Sequence, residues 1–177
     1  MKKLIAVLFL VFSFGIVWAD GTANIPVSPR TAMCTMSPAS NSQVRGWVKF
    51  IQRKGYVKVE GEITGLTPGK HGFHVHIKDD CSAPEAISAD GHFNPTDQVH
   101  GAPTSKDRQA GDLGNIMADK DGKAKIHFTD KVIQLSSANT ILNKSLIIHA
   151  DPDDLKTQPS GKSGMPIACG VVQLIMK

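Results

Sequence analysis

Short runs in which apolar and polar residues alternate dominate the chain from Thr31 onward. The clearest is Tyr56-Val57-Lys58-Val59-Glu60, where Val57 and Val59 share one face and charged residues the other, the period of a half-buried strand. Comparable runs predict strands over Thr31–Met36, Val44–Phe50, Tyr56–Ile63 and Gly72–Ile77. Asn115–Ala118, Lys123–Thr129, Val132–Leu135, Ser145–His149 and Gly170–Met176 continue the series. Leu66-Thr67-Pro68-Gly69 is a turn signal between two strands, and Asp119-Lys120-Asp121-Gly122 carries a hairpin signature. The expectation is all-β: eight or so antiparallel strands in a sandwich or barrel.

Two polar stretches break the pattern. Lys78–Gly114 is charged, punctuated by proline and without a convincing amphipathic helix, and Ala150–Ala168 is the second. A structureless stretch as long as the first is unusual in a compact domain. A metal or a disulfide is expected to organise it, and function is expected in these two loops.

The N-terminus follows another pattern. Lys2-Lys3 precedes an almost wholly apolar run from Leu4 to Trp18, and Val17-Trp18-Ala19 places small residues at −3 and −1 before Asp20. This predicts a signal peptide over 1–19, a flexible leader over 20–30 and one domain over 31–177. The apolar run has the wrong flanks and length for a stable membrane span, so export to the periplasm or the extracellular space is expected. Loss of 1–19 removes Lys2 and Lys3 and no acid, which lowers the formal charge from +4 to +2. A net charge that small makes no case for nucleic acid as a partner.

Histidines carry the candidate chemistry. Gly72-Phe73-His74-Val75-His76 lies in a predicted strand, where a His-x-His pair throws both imidazoles to one side. With His92, His100 and His149, five of the seven histidines form one candidate set, and Asp112 joins it as a carboxylate. An imidazole-rich set suits copper or zinc, and the lack of a cysteine cluster argues against a finger-like zinc or iron–sulfur site. His71 and His127 have no obvious partner and read as ordinary histidines. Cys34, Cys81 and Cys169 allow three pairings that spacing does not decide. Cys81–Cys169 would tie a long loop to the last strand, with Cys34 a buried free thiol.

From about Thr31 to Ile175 the chain resembles the copper/zinc superoxide dismutases, particularly their exported bacterial members. The resemblance rests on Leu66-Thr67-Pro68-Gly69-Lys70-His71-Gly72-Phe73-His74-Val75-His76, Gly91-His92-Phe93-Asn94-Pro95, Gly111-Asp112-Leu113-Gly114-Asn115 and Ala168-Cys169-Gly170. It implies an eight-stranded Greek-key barrel with two long functional loops. It implies copper held by His74, His76, His92 and His149, with His92 bridging to a zinc that His100 and Asp112 also hold. Asp153 resembles the carboxylate that links the two sites, and Cys81 and Cys169 match the family disulfide. The implied activity is dismutation of superoxide to dioxygen and hydrogen peroxide as copper alternates between oxidation states. Dimers and monomers both occur in the family, and Trp47 is either a contact residue or half-buried.

Two positions depart from the family pattern. Gln109 stands where a zinc-binding histidine is expected, which implies weakened zinc with Gln109 as a poor neutral donor, or a copper-only site. Pro166 stands where an arginine guides superoxide, and proline offers neither charge nor donor; reduced efficiency follows, with Lys162 as a candidate substitute for guidance. The alternative reading is a copper storage, buffering or scaffold protein of the same fold with little turnover.

Overall fold

The computed structural model describes residues 30–175, so the signal peptide, all of the leader but Arg30, and the end of the last predicted strand lie outside the described residues. The strands are β1 (Thr31–Pro38), β2 (Arg45–Arg53), β3 (Tyr56–Thr64), β4 (Gly69–Val75), β5 (Asp112–Ala118), β6 (Ala124–Asp130), β7 (Ser145–His149), β8 (Pro166–Val171) and the two-residue β9 (Gln173–Leu174). They pair antiparallel in the order β5-β4-β7-β8-β1-β2-β3-β6, with β9 beside β1. The path crosses from β3 to β4 and from β6 to β7, as in a Greek key. β5 and β6 lie against each other across the predicted 119–122 turn, where Gly122 N–H donates to the Asp119 carbonyl at 3.1 Å. The sheet therefore nearly closes into a barrel. β1 joins its two halves, since Thr31–Met36 pairs with β2 and Ser37 and Pro38 pair with β8.

Alternation decides which side chains go inside. Val57, Val59 and Ile63 of β3 meet Val48 and Phe50 of β2, and Phe73 and Val75 of β4 meet Leu146 and Ile148 of β7. Each such side chain contributes about 1.5–3 kcal/mol on burial. Trp47, one residue out of phase with Val48, is on the outer face and 39% exposed. Cys34 faces the core, its thiol 3.5 Å from Met36 Sδ and pushed up to about 12 by burial. It has the character of a small hydrophobe.

The predicted strand Val132–Leu135 does not form, although Ile133 and Leu135 are fully buried. Side chains take over its backbone donors. Asp130 Oδ1 accepts the N–H groups of Val132 and Ile133 at 2.7 and 2.9 Å, and Gln52 Oε1 accepts that of Leu135 at 2.8 Å. Only an isolated bridge from Gln134 to Thr140 is left. The last predicted strand starts earlier, at Pro166, and breaks at Val172, whose N–H donates to Lys144 rather than to a strand neighbour.

In the long loops, the described residues hold one short 3-10 turn (Ile87–Ala89) and the Cys81–Cys169 disulfide, which closes an 88-residue separation. Among the described residues no helix is long and apolar enough to cross a membrane.

Candidate metal centre

β4 offers two faces to two environments. Its His71, Phe73 and Val75 side belongs to the barrel, and its Gly72 and His74 side lies beneath the loops. His76 follows β4 and forms an isolated bridge with His92, because Phe93 N–H donates to the Val75 carbonyl at 2.8 Å and Ile77 N–H to Gly91 at 3.0 Å. His149 ends β7, the strand beside β4. This places His74, His76, His92 and His149 together, with one nitrogen of each within 4.8 Å of the others. A second cluster, His92, His100 and Asp112, meets the same criterion of 4.8 Å. His92 belongs to both.

The far side of each ring fixes its orientation. His76 Nδ1–H donates to the Asp90 carbonyl, His149 Nδ1–H to Gly164 O at 2.9 Å, and His74 Nε2–H to Asp153 Oδ2 at 2.8 Å. The opposite nitrogens, His74 Nδ1, His76 Nε2 and His149 Nε2, are buried without a partner, and so is His92 Nε2. Each unpartnered buried group costs about 1–3 kcal/mol. Convergent lone pairs of this kind fit a metal that accepts imidazole nitrogen. In the second cluster, Asp112 Oδ1 lies 2.9 Å from His92 Nδ1 and 3.0 Å from His100 Nδ1. Asp112 Oδ2 accepts the backbone N–H groups of Gly101 and Gln109, both at 3.0 Å. Two imidazoles and a carboxylate fit zinc.

Gln109 Nε2 donates to Pro159 O at 3.3 Å, which turns the amide oxygen the other way; Oε1 is buried with no partner. The glutamine thus keeps an unpaired oxygen donor, on a residue whose backbone N–H bonds Asp112. The Arg108 guanidinium fixes this part of the loop from behind. It pairs with buried Asp130 and donates to the carbonyls of Gln109, Ala110 and Asp112.

Asp153 joins the clusters, with Oδ2 on His74 and Oδ1 3.0 Å from His100 Nε2. Asn115 holds it by two bonds, Nδ2 to the Asp153 carbonyl at 2.9 Å and Oδ1 from its N–H at 2.8 Å. Gln158 clamps the His100 backbone in the same way, at 2.8 and 2.9 Å. Gly161 closes over the pair: a Cβ there would lie 1.8 Å from Asp153 Oδ1, and its φ of +71° already favours glycine.

His71, read from sequence as an ordinary histidine, is buried and cross-links three segments. Its Nδ1 faces the His149 carbonyl and its Nε2 the Thr67 carbonyl, each at 2.9 Å. Its place in phase with Phe73 and Val75 was the available signal for burial. Asn115 and Gln158 gave no such signal, since their partners lie 38 and 58 residues away in sequence. His127 is exposed, 3.8 Å from Glu60.

A cleft of about 350 Å³ opens above His76, His92 and His149, walled by Asp90, Asn94, Gln109, Pro159 and Ser160. Among the described residues, no lysine or arginine lines it. Lys162 is exposed outside this lining, and Pro166 pairs with His149 at the start of β8. Asp90 forms a 3.2 Å ion pair with Lys78.

Electrostatics separate the two clusters. Burial lowers His74 to about 4, His76 to about 2 and His149 to about 3, so these rings are neutral. Burial also opposes charge on His100, but bonds to Asp112 and Asp153 outweigh it and raise the ring to about 9. Burial would raise Asp112 and Asp153; the imidazoles and backbone N–H groups around them instead bring Asp112 to about 2 and hold Asp153 well below the carboxylate range.

The signs give a pH prediction for the metal-free protein. An unfolded imidazole titrates near about 6.5, so below that pH the unfolded chain binds more protons than folded His74, His76 and His149 do. Their contribution is complete above about pH 6.5 and is lost as pH falls through their folded values. His100 acts oppositely: its contribution is complete below about 6.5 and is lost as pH rises through about 9. Urea unfolding is expected to show a stability maximum near pH 6.5 and a steep fall on the acid side. Constant stability from about pH 6.5 down to 4 would contradict neutral packing of the rings.

Comparison with known proteins agrees with the fold. The family model described as copper/zinc superoxide dismutase matches residues 44–172. "Extracellular superoxide dismutase [Cu-Zn]" of Brugia pahangi is 43% identical over 145 residues, 77% of this chain and 72% of that protein. "Superoxide dismutase [Cu-Zn] 3" of Arabidopsis thaliana is 43% identical over 143 residues, 77% of this chain and 87% of that protein. A solved structure described as the clock protein EA4 superposes with a TM-score of 0.77 at 36% identity, covering 84% of this chain and 96% of that one. With more than half of its length matched by the family model and its barrel shared with a solved structure, this chain belongs to the copper/zinc superoxide dismutase family.

Proposed function

We propose that the protein dismutes superoxide at a copper held by His74 Nδ1, His76 Nε2, His92 Nε2 and His149 Nε2. The observation that carries this assignment is the convergence of four buried, unpartnered imidazole nitrogens. Copper supplies one-electron chemistry, so that one superoxide is oxidised to dioxygen and a second is reduced, with two protons, to hydrogen peroxide. The chain's own part is to hold the rings and keep one side open. The carbonyls of Asp90 and Gly164 and the carboxylate of Asp153 lock three rings with their lone pairs inward. The cleft above His76, His92 and His149 admits a small substrate. When not engaged by copper, His92 Nε2 can hold a proton beside the reacting oxygen, while Asp112 holds the opposite nitrogen.

Zinc belongs to His92 Nδ1, His100 Nδ1 and Asp112 Oδ1, with Gln109 Oε1 as a weak fourth donor. Gln109→His is expected to tighten zinc roughly tenfold or more, the scale on which changes in a ligand shell act, as measured by chelator competition. Equal affinity in the two proteins would remove Gln109 from the site.

Turnover is slow relative to a site with a cation in its cleft, because no lysine or arginine is in the described lining and its carboxylate, Asp90, is paired with Lys78. That observation also favours the second reading, a copper-holding protein with little dismutation. Superoxide decay on protein of quantified copper content decides between them. A rate no faster than spontaneous dismutation would sink the enzyme reading. Export is part of the proposal, supported by the Cys81–Cys169 disulfide. Both a homodimer and a monomer are compatible with the metal site, which one chain completes by itself.

A further inference from the structure

Away from the metal cleft, a groove of about 720 Å³ lies between the 103–108 loop, β5 and the end of β6. That volume is in the range of small-molecule sites. Leu113, Phe128 and Leu155 supply an apolar floor, and Lys70, Lys106 and Lys131 stand around it. Among the described residues, none of the three lysines has an ion-pair or side-chain hydrogen-bond partner. One carboxylate lines the groove, Asp130, and it is already spent internally. Its Oδ2 pairs with Arg108 and its Oδ1 accepts two backbone N–H groups. The groove therefore combines apolar surface with uncompensated positive charge.

We propose that this groove binds a small amphipathic anion, an aryl carboxylate or sulfonate being the chemical type that fits. The apolar body would cover Phe128, Leu113 and Leu155, and the anionic group would face the lysines. A neutral aromatic would forgo the charge, and an inorganic anion would leave the floor wet. An occupant would also touch the supports of the metal centre without reaching the metals. Arg108, at the base, holds the carbonyls of Gln109, Ala110 and Asp112, and Asn115, on the wall, holds Asp153.

The test is a titration of the metal-loaded protein, copper reduced, with 1-naphthalenesulfonate and with neutral naphthalene-methanol, followed by amide chemical shifts. Shifts are expected within residues 103–108, 113–115 and 128–132. The sulfonate should bind at least about tenfold tighter than the alcohol at low salt, with the advantage fading as salt screens the lysines. Lys70→Glu with Lys131→Glu should weaken the sulfonate about tenfold or more, while Lys49→Glu on β2 should not. Equal affinity for the two probes, insensitivity to the double reversal, or shifts confined to other faces would each overturn the proposal.

Discussion

Replacing Pro166 with arginine is expected to raise the second-order rate of superoxide decay by about one to two orders of magnitude at low ionic strength. A charge-assisted hydrogen bond contributes about 1.5–3 kcal/mol, and each 1.4 kcal/mol or so is a factor of about ten; steering adds to the on-rate. Position 166 suits the change. Pro166 opens β8 opposite His149, whose ring lies on the cleft floor, and its carbonyl accepts Ser40 Oγ at 2.6 Å, a bond that arginine keeps. With no lysine or arginine in the described lining and Asp90 paired with Lys78, the native rate is expected to be nearly flat as salt is added. The Pro166→Arg rate should fall with salt. Stopped-flow decay over a range of ionic strength, at known copper content, measures both slopes. An unchanged rate with an unchanged slope would show that access to the copper is not limited by charge.

Asp153→Ala is expected to cost the second metal position about 10–100-fold in affinity, the usual penalty for losing a partner that orients a ligand. The alanine leaves His74 Nε2 and His100 Nε2 without their acceptor and frees the Leu155 N–H, 2.7 Å from Oδ1 in the native chain. Because His100 is raised to about 9 by Asp112 and Asp153, the metal-free variant also loses a buried ion pair, at about 3–5 kcal/mol. Asp153→Asn should fall between the two, since an amide oxygen can accept from one ring only. Zinc competition and urea unfolding read the two effects separately. Native zinc affinity in Asp153→Ala would mean that His100 is oriented without it, by Gln158 and Asp112 alone.

What could be read before folding was whatever repeats locally. The alternation in Tyr56–Glu60 placed Val57 and Val59 in the core, and 119–122 gave its turn. The clustered histidines were legible as motifs, and the loop holding Cys81 announced its need for an organiser through its length. Val132–Leu135 was misread because its apolar content is that of a strand while its donors go to Asp130 and Gln52. The same blindness covers Asn115, Gln158 and His71, whose bonds join backbone and side chain over long separations. Pro166 and Gln109 were visible as departures, yet only the structure shows that Asp90 is the charge on the wall and that Gln109 keeps a free oxygen.

The Gln158 clamp has a kinetic consequence. It binds the loop of 150–165 to the His100 N–H and carbonyl, while Asp153 and Gly161 close over the same ring. Neither loop can lift without breaking the other's bonds. Amide hydrogen exchange at His100, Gly101 and Asp153 should therefore occur through one shared opening, with a common protection factor, instead of residue by residue.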